Sequence, residues 1–421
     1  MKVAHLSNGD IQGGAARAAY RIHECILHSG GDSRMIVRNK ASDDWRVESA
    51  EGTIMRSLGR LRPPLGKLIG ALQKPGSAGL RNGAWIPSQL SGHLNSDQFD
   101  VVNLHWIADE TVSVGDLLKV RHPLVWTLHD MWPFCGMEHY ASTDKMARWR
   151  VGYTRSNKQP TAKGIDLDRL LWRRKKQLRN RQLTFVAPST WLRDCIKGSA
   201  IFSDNPVEVI PHPLDLEVYK PLDRAFCRDA LRLPADAKLI LFGAVGGHKD
   251  DRKGFDLLQE ALDQMFKTSQ VSDFQCCVFG QSQPKLSPKL PFPINYLGEL
   301  KDNLTLAMIY SAADVMVVPS RQEAFGQTAS EATACGCPVL AFDETGVADI
   351  ISHRTTGYLA SPFEVQDLVA GLSWILEDEE RQKWLRENAR KRAETLWSSS
   401  TIAHQYLNLY GDVMEEHRSR G

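Results

Sequence analysis

At 421 residues, 42% apolar and 24% charged, the chain has the makeup of a folded globular protein and not a disordered one, and suits two domains of about 200 residues each. The net charge of +2 hides an asymmetry: six Lys or Arg and no acid from Gly52 to Ser96, and thirteen against Asp166 and Asp168 from Lys145 to Arg181. These two segments carry +17 and leave −15 for the rest, so the N-terminal half suits an anionic surface or substrate.

The first ten residues, MKVAHLSNGD, enter a strand without a signal-peptide core, and no apolar run approaches the roughly 18 residues a spanning helix needs. Eight cysteines lack both a paired framework and zinc spacing. The expectation is a cytoplasmic protein with reduced, packed thiols.

Strand-like and helical runs alternate along the chain, which predicts parallel α/β sheets. Lys2–Leu6 reads as a strand, followed by Gly13-Gly14 and the helix Ala15–Leu27. Ser33–Val37, Val101–Leu104, Leu124–Leu128 and Leu183–Ala187 read as further strands, and the proline-rich stretch 206–221 as a linker. A second series comprises Lys238–Phe242, the helix Asp256–Phe266, Cys276–Phe279, Val315–Val318 and Pro338–Ala341. Ser398–Met414 closes the chain as an amphipathic helix, with Ile402, Tyr406, Leu409, Tyr410 and Met414 at helical spacing. Two such sheets place a ligand in the cleft between them, at the C-terminal ends of their strands.

Four constellations carry chemistry. Gly13-Gly14 lies between a strand and a helix, where glycine lets the backbone approach a phosphate; the pattern G-G-A-A-R fails the nicotinamide fingerprint G-x-G-x-x-G. His105 and His129 each end an apolar run and are expected at the edge of the cleft. His129-Asp130, followed by Trp132 and Phe134, offers a polar pair beside aromatics for a sugar ring. The turn Gly243–His248 precedes Arg252-Lys253-Gly254, two cations able to neutralise a diphosphate leaving group without being a Walker A loop. Glu323 and Glu331 stand eight positions apart, the first on a strand-to-helix loop and the second one turn into the helix. The amides of Phe325, Gly326, Gln327 and Thr328 cluster at that helix start as an anion seat. Two carboxylates beside it suit sugar hydroxyls. Asp166-Leu167-Asp168 resembles a metal-binding D-x-D, but it precedes a basic run, so surface charge balance is expected of it.

These residues together resemble the retaining glycosyltransferases of family 4, of GT-B fold. EAFGQTASE, the upstream YSAADVMVVPS, the downstream GCPVLAFDETGVADII, APSTWL and VIPHPLDLEVYKP fall in family order, and WTLHDMWPFCGMEHY is similar to an exopolysaccharide and colanic-acid subgroup. The resemblance implies an N-terminal acceptor domain over 1–205, a linker over 206–221, a nucleotide-sugar domain over 222–396 and a returning helix over 397–421. It implies a UDP- or GDP-sugar donor, a glycan or polyprenyl-diphosphate-linked acceptor, no cofactor, no metal and no nucleic acid. Glu331 would hold the ribose and Glu323 the sugar hydroxyls. Arg252, Lys253 and the amides near Gly326 would hold the diphosphate, His129 would lie under the sugar, and Gly13-Gly14 would be the phosphate loop. His129, Glu323 and Lys253 are the expected catalytic residues. Arg173, Arg174, Lys175 and Lys176, with the segment Ile54–Leu72, are expected on an anionic membrane. Ala244 stands where many members carry an arginine. A catalytically weakened scaffold of the same fold is the alternative.

Overall fold

The computed structural model describes residues 1–49, 59, 61–76, 79–96, 98–243, 250–268, 273–283, 292–300 and 302–420. Contacts divide the chain into two units, Met1–Pro213 with Ser400–Gly421, and Leu214–Ser399.

Among the described residues, the first unit is built on a seven-stranded parallel sheet. Its order is Val47–Ser49, Asp32–Asn39, Lys2–Gly9, Val101–Leu104, Leu124–Thr127, Leu183–Ala187 and Val207–Val209. Every residue of Val101–Leu104, Leu124–Thr127 and Leu183–Ala187 is buried, as expected of strands covered on both faces. Lys2–Gly9 pairs with Asp32–Asn39 on one side and Val101–Leu104 on the other. The strand order therefore reverses at Lys2–Gly9, and the C-terminal ends there form the position where open α/β sheets bind ligands.

The second unit repeats the plan with six strands among the described residues. Their order is Ile294–Gly298, Phe274–Phe279, Lys238–Gly243, Val315–Val318, Val339–Phe342 and Gly357–Ala360. Here the reversal falls between Lys238–Gly243 and Val315–Val318. The Arg252-Lys253 turn follows the first of these strands and the Glu323 loop follows the second.

The strands expected from sequence are present with small end shifts. Val47–Ser49, Ile294–Gly298 and Gly357–Ala360 were not anticipated, being short or mixed in polarity. The stretch expected as a linker opens with Val207–Val209, paired with Phe185, Val186 and Ala187 at the sheet edge. Its alternation of Val207 and Val209 was obscured by the flanking prolines. The closing helix runs from Ser399 to Arg420. Ile402, Tyr406, Leu409 and Tyr410 join Val3, Ile22, Val101, Val125 and Val186 in one buried cluster. Asn103 Nδ2 donates to the Tyr410 hydroxyl at 2.6 Å, and the Thr127 and Tyr406 hydroxyls meet at 3.3 Å. All eight cysteines are buried, and none forms a disulfide. Among the described residues no helix is long and apolar enough to cross a membrane.

Candidate functional site

In the second unit, one close approach of backbone to backbone organises the charged residues. Gly254 ends the short turn Asp251–Lys253 at φ 65°, and a Cβ there would lie 1.9 Å from the carbonyl oxygen of Pro319. No other residue fits. The contact lays the turn against the loop after Val315–Val318. Arg321 N–H donates to the Arg252 carbonyl at 2.7 Å, and the Arg321 guanidinium reaches Asp256 at 2.8 and 2.7 Å and the Asp251 carbonyl at 2.7 Å. Lys253 Nζ then meets Glu323 Oε2 at 2.5 Å. Arg252 binds Asp250 at 2.6 Å and the Gln322 carbonyl at 3.3 Å, so part of its charge is balanced within the protein.

Glu323 is anchored by its own carbonyl, which accepts from Gly346 N–H at 2.8 Å. No described residue bonds its Oε1. Next to Gly346, the Thr345 hydroxyl is buried without a hydrogen-bonding partner among the described residues. Gly326 caps the helix Gln327–Ala334 with no side-chain hydrogen bond, and the N–H groups of a helix start suit an anion. Glu331 lies one turn in, 4% exposed, and accepts from the Tyr310 hydroxyl at 2.9 Å. The structure thus gathers Lys253, Arg252, Glu323 and the amides of Phe325 to Thr328 around two neighbouring strand ends, with Glu331 in the adjoining helix. Gly243 ends its strand; the turn after it, Ala244 included, lies outside the described residues.

The first unit carries Gly13, Gly14 and His129. Gly13 caps the helix Gly14–His28 at φ 92°, where an L side chain would be strained. His129 is half-buried, but His105 is 2% exposed, against the expectation of a strand-end surface residue. The cause is backbone pairing that continues past the strand: His105 N–H donates to Leu6 O at 2.9 Å and keeps the ring inside. There it joins a column that sequence reading missed. His5 Nδ1 meets His105 Nε2 at 2.8 Å, His105 Nδ1 meets His129 Nε2 at 3.1 Å, and His212 stacks on His129 at 5.2 Å. Burial, opposed by Asp130, holds His129 down at about 4. Burial, aided by the neighbouring rings, holds His5, His105 and His212 well below the ordinary histidine value.

Asp130 is scaffold and not a sugar ligand. Its Oδ2 binds His139 Nδ1 at 2.5 Å and Trp106 Nε1 at 2.9 Å, and its Oδ1 accepts from Trp132 N–H at 2.9 Å. Trp132 and Phe134 are 2% and 0% exposed, so these aromatics form core and do not present a face to a sugar.

The basic run also divides. Arg173, Arg174 and Lys176 are exposed, but Lys175 is fully buried and is no part of a membrane patch. Its ammonium donates to the carbonyls of Trp132, Cys135 and Gly136 and lies 3.5 Å from the centre of the Trp132 ring. Burial pushes Lys175 down to about 7, opposed by nearby Cys135, Glu138, Asp130 and Asp168. Three carbonyls match the three N–H donors of an ammonium, whereas a neutral amine has two, so these contacts favour the charged form against the burial. The signal lay in the spacing: Leu167, Leu171 and Lys175 share one buried helix face. Asp168 shares it too, accepting from Arg81, from Gln73 Nε2 at 2.7 Å and from Met137 N–H at 3.1 Å. The expected role in surface charge balance is replaced by a buried junction. Among the described residues no group of three His, Cys, Asp or Glu could hold a metal ion.

Lys175→Met would leave three carbonyls without a donor and is expected to destabilise the protein by about 2–4 kcal/mol. Urea unfolding measures this as a lower midpoint; an unchanged midpoint would contradict the anchoring role.

Two family models match consecutive stretches of the chain: Glycosyltransferase Family 4 over residues 12–218 and Glycosyl transferases group 1 over residues 223–392. A D-inositol 3-phosphate glycosyltransferase of Thermobispora bispora is 29% identical over 226 residues, covering 51% of this chain and 52% of the relative. The chain thus spans about half the length of such curated relatives. D-inositol 3-phosphate glycosyltransferase 2 of Catenulispora acidiphila is 25% identical over 440 residues, 96% of each chain. Among solved structures, sucrose-phosphate synthase from Thermosynechococcus elongatus superposes with a TM-score of 0.68 at 21% identity, over 99% of this chain and 100% of that one. HepE of Anabaena, solved with UDP and glucose, gives 0.65 at 19% identity, over 98% and 100%. These likenesses show the GT-B fold. With both models matched in order, the chain consists of a Glycosyltransferase Family 4 domain followed by a Glycosyl transferases group 1 domain, on the GT-B fold.

Proposed function

We propose that the protein transfers a sugar, with retention and without a metal, from a nucleotide-diphosphate sugar to a glycan or lipid-linked acceptor in cell-surface polysaccharide biosynthesis. The observation that carries this reading is the Lys253–Glu323 pair at 2.5 Å beside the helix start at Gly326. A carboxylate with one oxygen held by lysine keeps the other for sugar hydroxyls. A cation and the amides of a helix start next to it suit the departing diphosphate. That HepE has been solved with UDP-glucose supports a nucleotide-sugar donor.

In this reading Glu331 holds the ribose, Glu323 the sugar, and Arg252 with Lys253 the diphosphate, while His129 and Gly13-Gly14 serve from the first unit. The bond from the anomeric carbon to the diphosphate oxygen breaks, its electron pair stays with that oxygen, and Lys253 and the amides stabilise the charge. The acceptor hydroxyl oxygen bonds to the anomeric carbon on the same face, and its proton passes to the leaving phosphate oxygen. A thermal-shift panel of UDP-glucose, UDP-N-acetylglucosamine and GDP-mannose tests the class. At a hundredfold excess over Kd, one donor is expected to raise Tm by roughly 5 °C, and Glu331→Ala to abolish the rise. No rise with any nucleotide sugar would refute the reading.

Association with an anionic membrane is supported by a surface that the sequence reading reached only in part. Leu61, Leu65, Leu68 and Leu72 are 54%, 47%, 68% and 54% exposed. Their spacing of four, three and four puts them on one face of the helix Arg62–Gly70 and its flanks. Residues 54–58 and 60, the remainder of the expected membrane segment Ile54–Leu72, lie outside the described residues. Vesicles of phosphatidylglycerol are expected to bind the protein and vesicles of phosphatidylcholine to bind it weakly. Replacing Leu65 and Leu68 by Ser, and Arg173, Arg174 and Lys176 by Gln, is expected to reduce flotation severalfold; equal flotation would dismiss the surface.

A further inference from the structure

Outside the histidine column and the Lys175 junction, the first unit buries a carboxylate with one oxygen unused. Glu110 is 2% exposed. Its Oε2 accepts from Trp85 N–H at 2.8 Å and from Ile86 N–H at 2.9 Å. Its Oε1 is buried with no hydrogen-bonding partner among the described residues, and Trp85 Nε1 is likewise a buried donor without an acceptor. Buried groups of this kind are nearly always paired. Burial pushes the Glu110 carboxyl up, opposed by the Ile86 and Trp85 amides and by Arg62. The backbone is bent to hold it. Asp109 and Glu110 stand at φ 55° and 58°, a region that costs non-glycine residues, and Arg38 Nη1 secures the Asp109 carbonyl at 2.6 Å.

Two glycines show where these atoms point. A Cβ on Gly83 would lie 2.1 Å from Trp85 Nε1 and 2.7 Å from Glu110 Oε1, and one on Gly66 2.6 Å from the same oxygen. The unused donor and acceptor therefore flank one point, and both glycines line a single cavity with Glu110. Its volume of about 230 Å³ is several times the ~30 Å³ share of one water. It falls below the roughly 300–1,000 Å³ of pockets for drug-sized ligands, too small for a whole nucleotide sugar and suited to one sugar ring. Pro63, Pro75 and Met137 give it apolar walls that suit the C–H faces of such a ring.

The chemistry narrows the ligand. A group between the two atoms must accept from the indole N–H and donate to the carboxylate. An ammonium cannot accept, and a phosphate or carboxylate would be repelled by Glu110 and by Asp109 on the cavity wall. One hydroxyl does both. The helix Arg62–Gly70 adds a direction: Gly66, Lys67 and Gly70 line the cavity, whereas Leu61, Leu65, Leu68 and Leu72 on the helix and its flanks are exposed. One helix thus carries both a cavity wall and the leucine face assigned above to the membrane. We propose that this cavity is a carbohydrate site distinct from the donor site, taking one sugar unit of a lipid-linked acceptor through a hydroxyl held between Trp85 Nε1 and Glu110 Oε1. The acceptor is taken from the proposed function above; the cavity and its pairing groups are not.

The test is proton–nitrogen NMR of the full chain carrying nitrogen-15 tryptophan, with the Trp85 indole signal assigned by its loss in Trp85→Phe. Methyl glycosides of glucose, galactose, mannose, rhamnose and N-acetylglucosamine, and inorganic phosphate, are titrated in turn. At least one glycoside is expected to move the Trp85 indole proton downfield and saturably, as a donor does on gaining an acceptor. Phosphate is expected to leave it in place. Glu110→Gln keeps an acceptor for the Trp85 and Ile86 amides and is expected to bind that glycoside roughly tenfold more weakly. If Glu110→Gln does not fold, Trp85→Phe takes its place, read by saturation transfer to the glycoside, with a severalfold loss expected. No shift with any glycoside would overturn the proposal, as would a shift with phosphate alone or a variant that binds the glycoside as the wild type does. A nucleotide sugar that raises Tm while no glycoside moves Trp85 overturns this site and leaves the proposed function standing. A glycoside at Trp85 with no Tm rise from any nucleotide sugar upholds the carbohydrate site and fails the proposed function.

Discussion

The second unit depends on a place where no side chain can exist. Gly254 brings its backbone so close to Pro319 that a Cβ would overlap the carbonyl oxygen at 1.9 Å. Two turns from different strands are thereby fused, with Arg321 tying the seam. The Lys253–Glu323 pair follows from that fusion. An exposed lysine and glutamate gain little from pairing; here the backbone sets the distance, so the pair is a preformed feature at the strand ends and its side chains lose little freedom on meeting a ligand.

The first unit reaches order by burying charge and pairing it. Lys175 draws together the carbonyls of Trp132, Cys135 and Gly136, Asp130 gathers His139, Trp106 and the Trp132 amide, and Asp168 binds Arg81 and Gln73. Each group is satisfied by specific partners, and removing one partner would strand another in a low-dielectric interior. The segment after His129 is held by these contacts, which leaves the ring itself as the polar element at the end of its strand. The charge asymmetry seen in the sequence is thus split: part of the basic excess is structural, and part, Arg173, Arg174 and Lys176, stays on the surface.

The sheets and the second-unit site were legible because their signals are local. Continuous runs such as Val315–Val318 announce buried parallel strands, and Glu323 and Glu331 on either side of Gly326 announce a strand–loop–helix with two acids. What escaped were contacts between distant segments. His5, His105, His129 and His212 lie on four separate stretches of chain, and only the pairing of strands shows that their rings form a column. The apolar run ending at Leu104 suggests that pairing stops there, whereas the His105 N–H still bonds Leu6 and its ring stays buried. Lys175 was misplaced because a run of four cations reads as a solvated face. The helical spacing from Leu167 and Leu171 shows the opposite. The family resemblance reached function from motifs, and the family models support it at the level of type.

The central claim is that Glu323 grips the sugar while other groups hold the nucleotide. Calorimetric titration of wild type and Glu323→Gln with UDP and UDP-glucose, and with GDP and GDP-mannose in parallel, tests it most directly. The sugar conjugate is expected to bind roughly tenfold more weakly to the variant, the cost of one charged hydrogen bond, while the free diphosphate binds as to the wild type. Equal weakening of both, or of neither, would contradict the assignment.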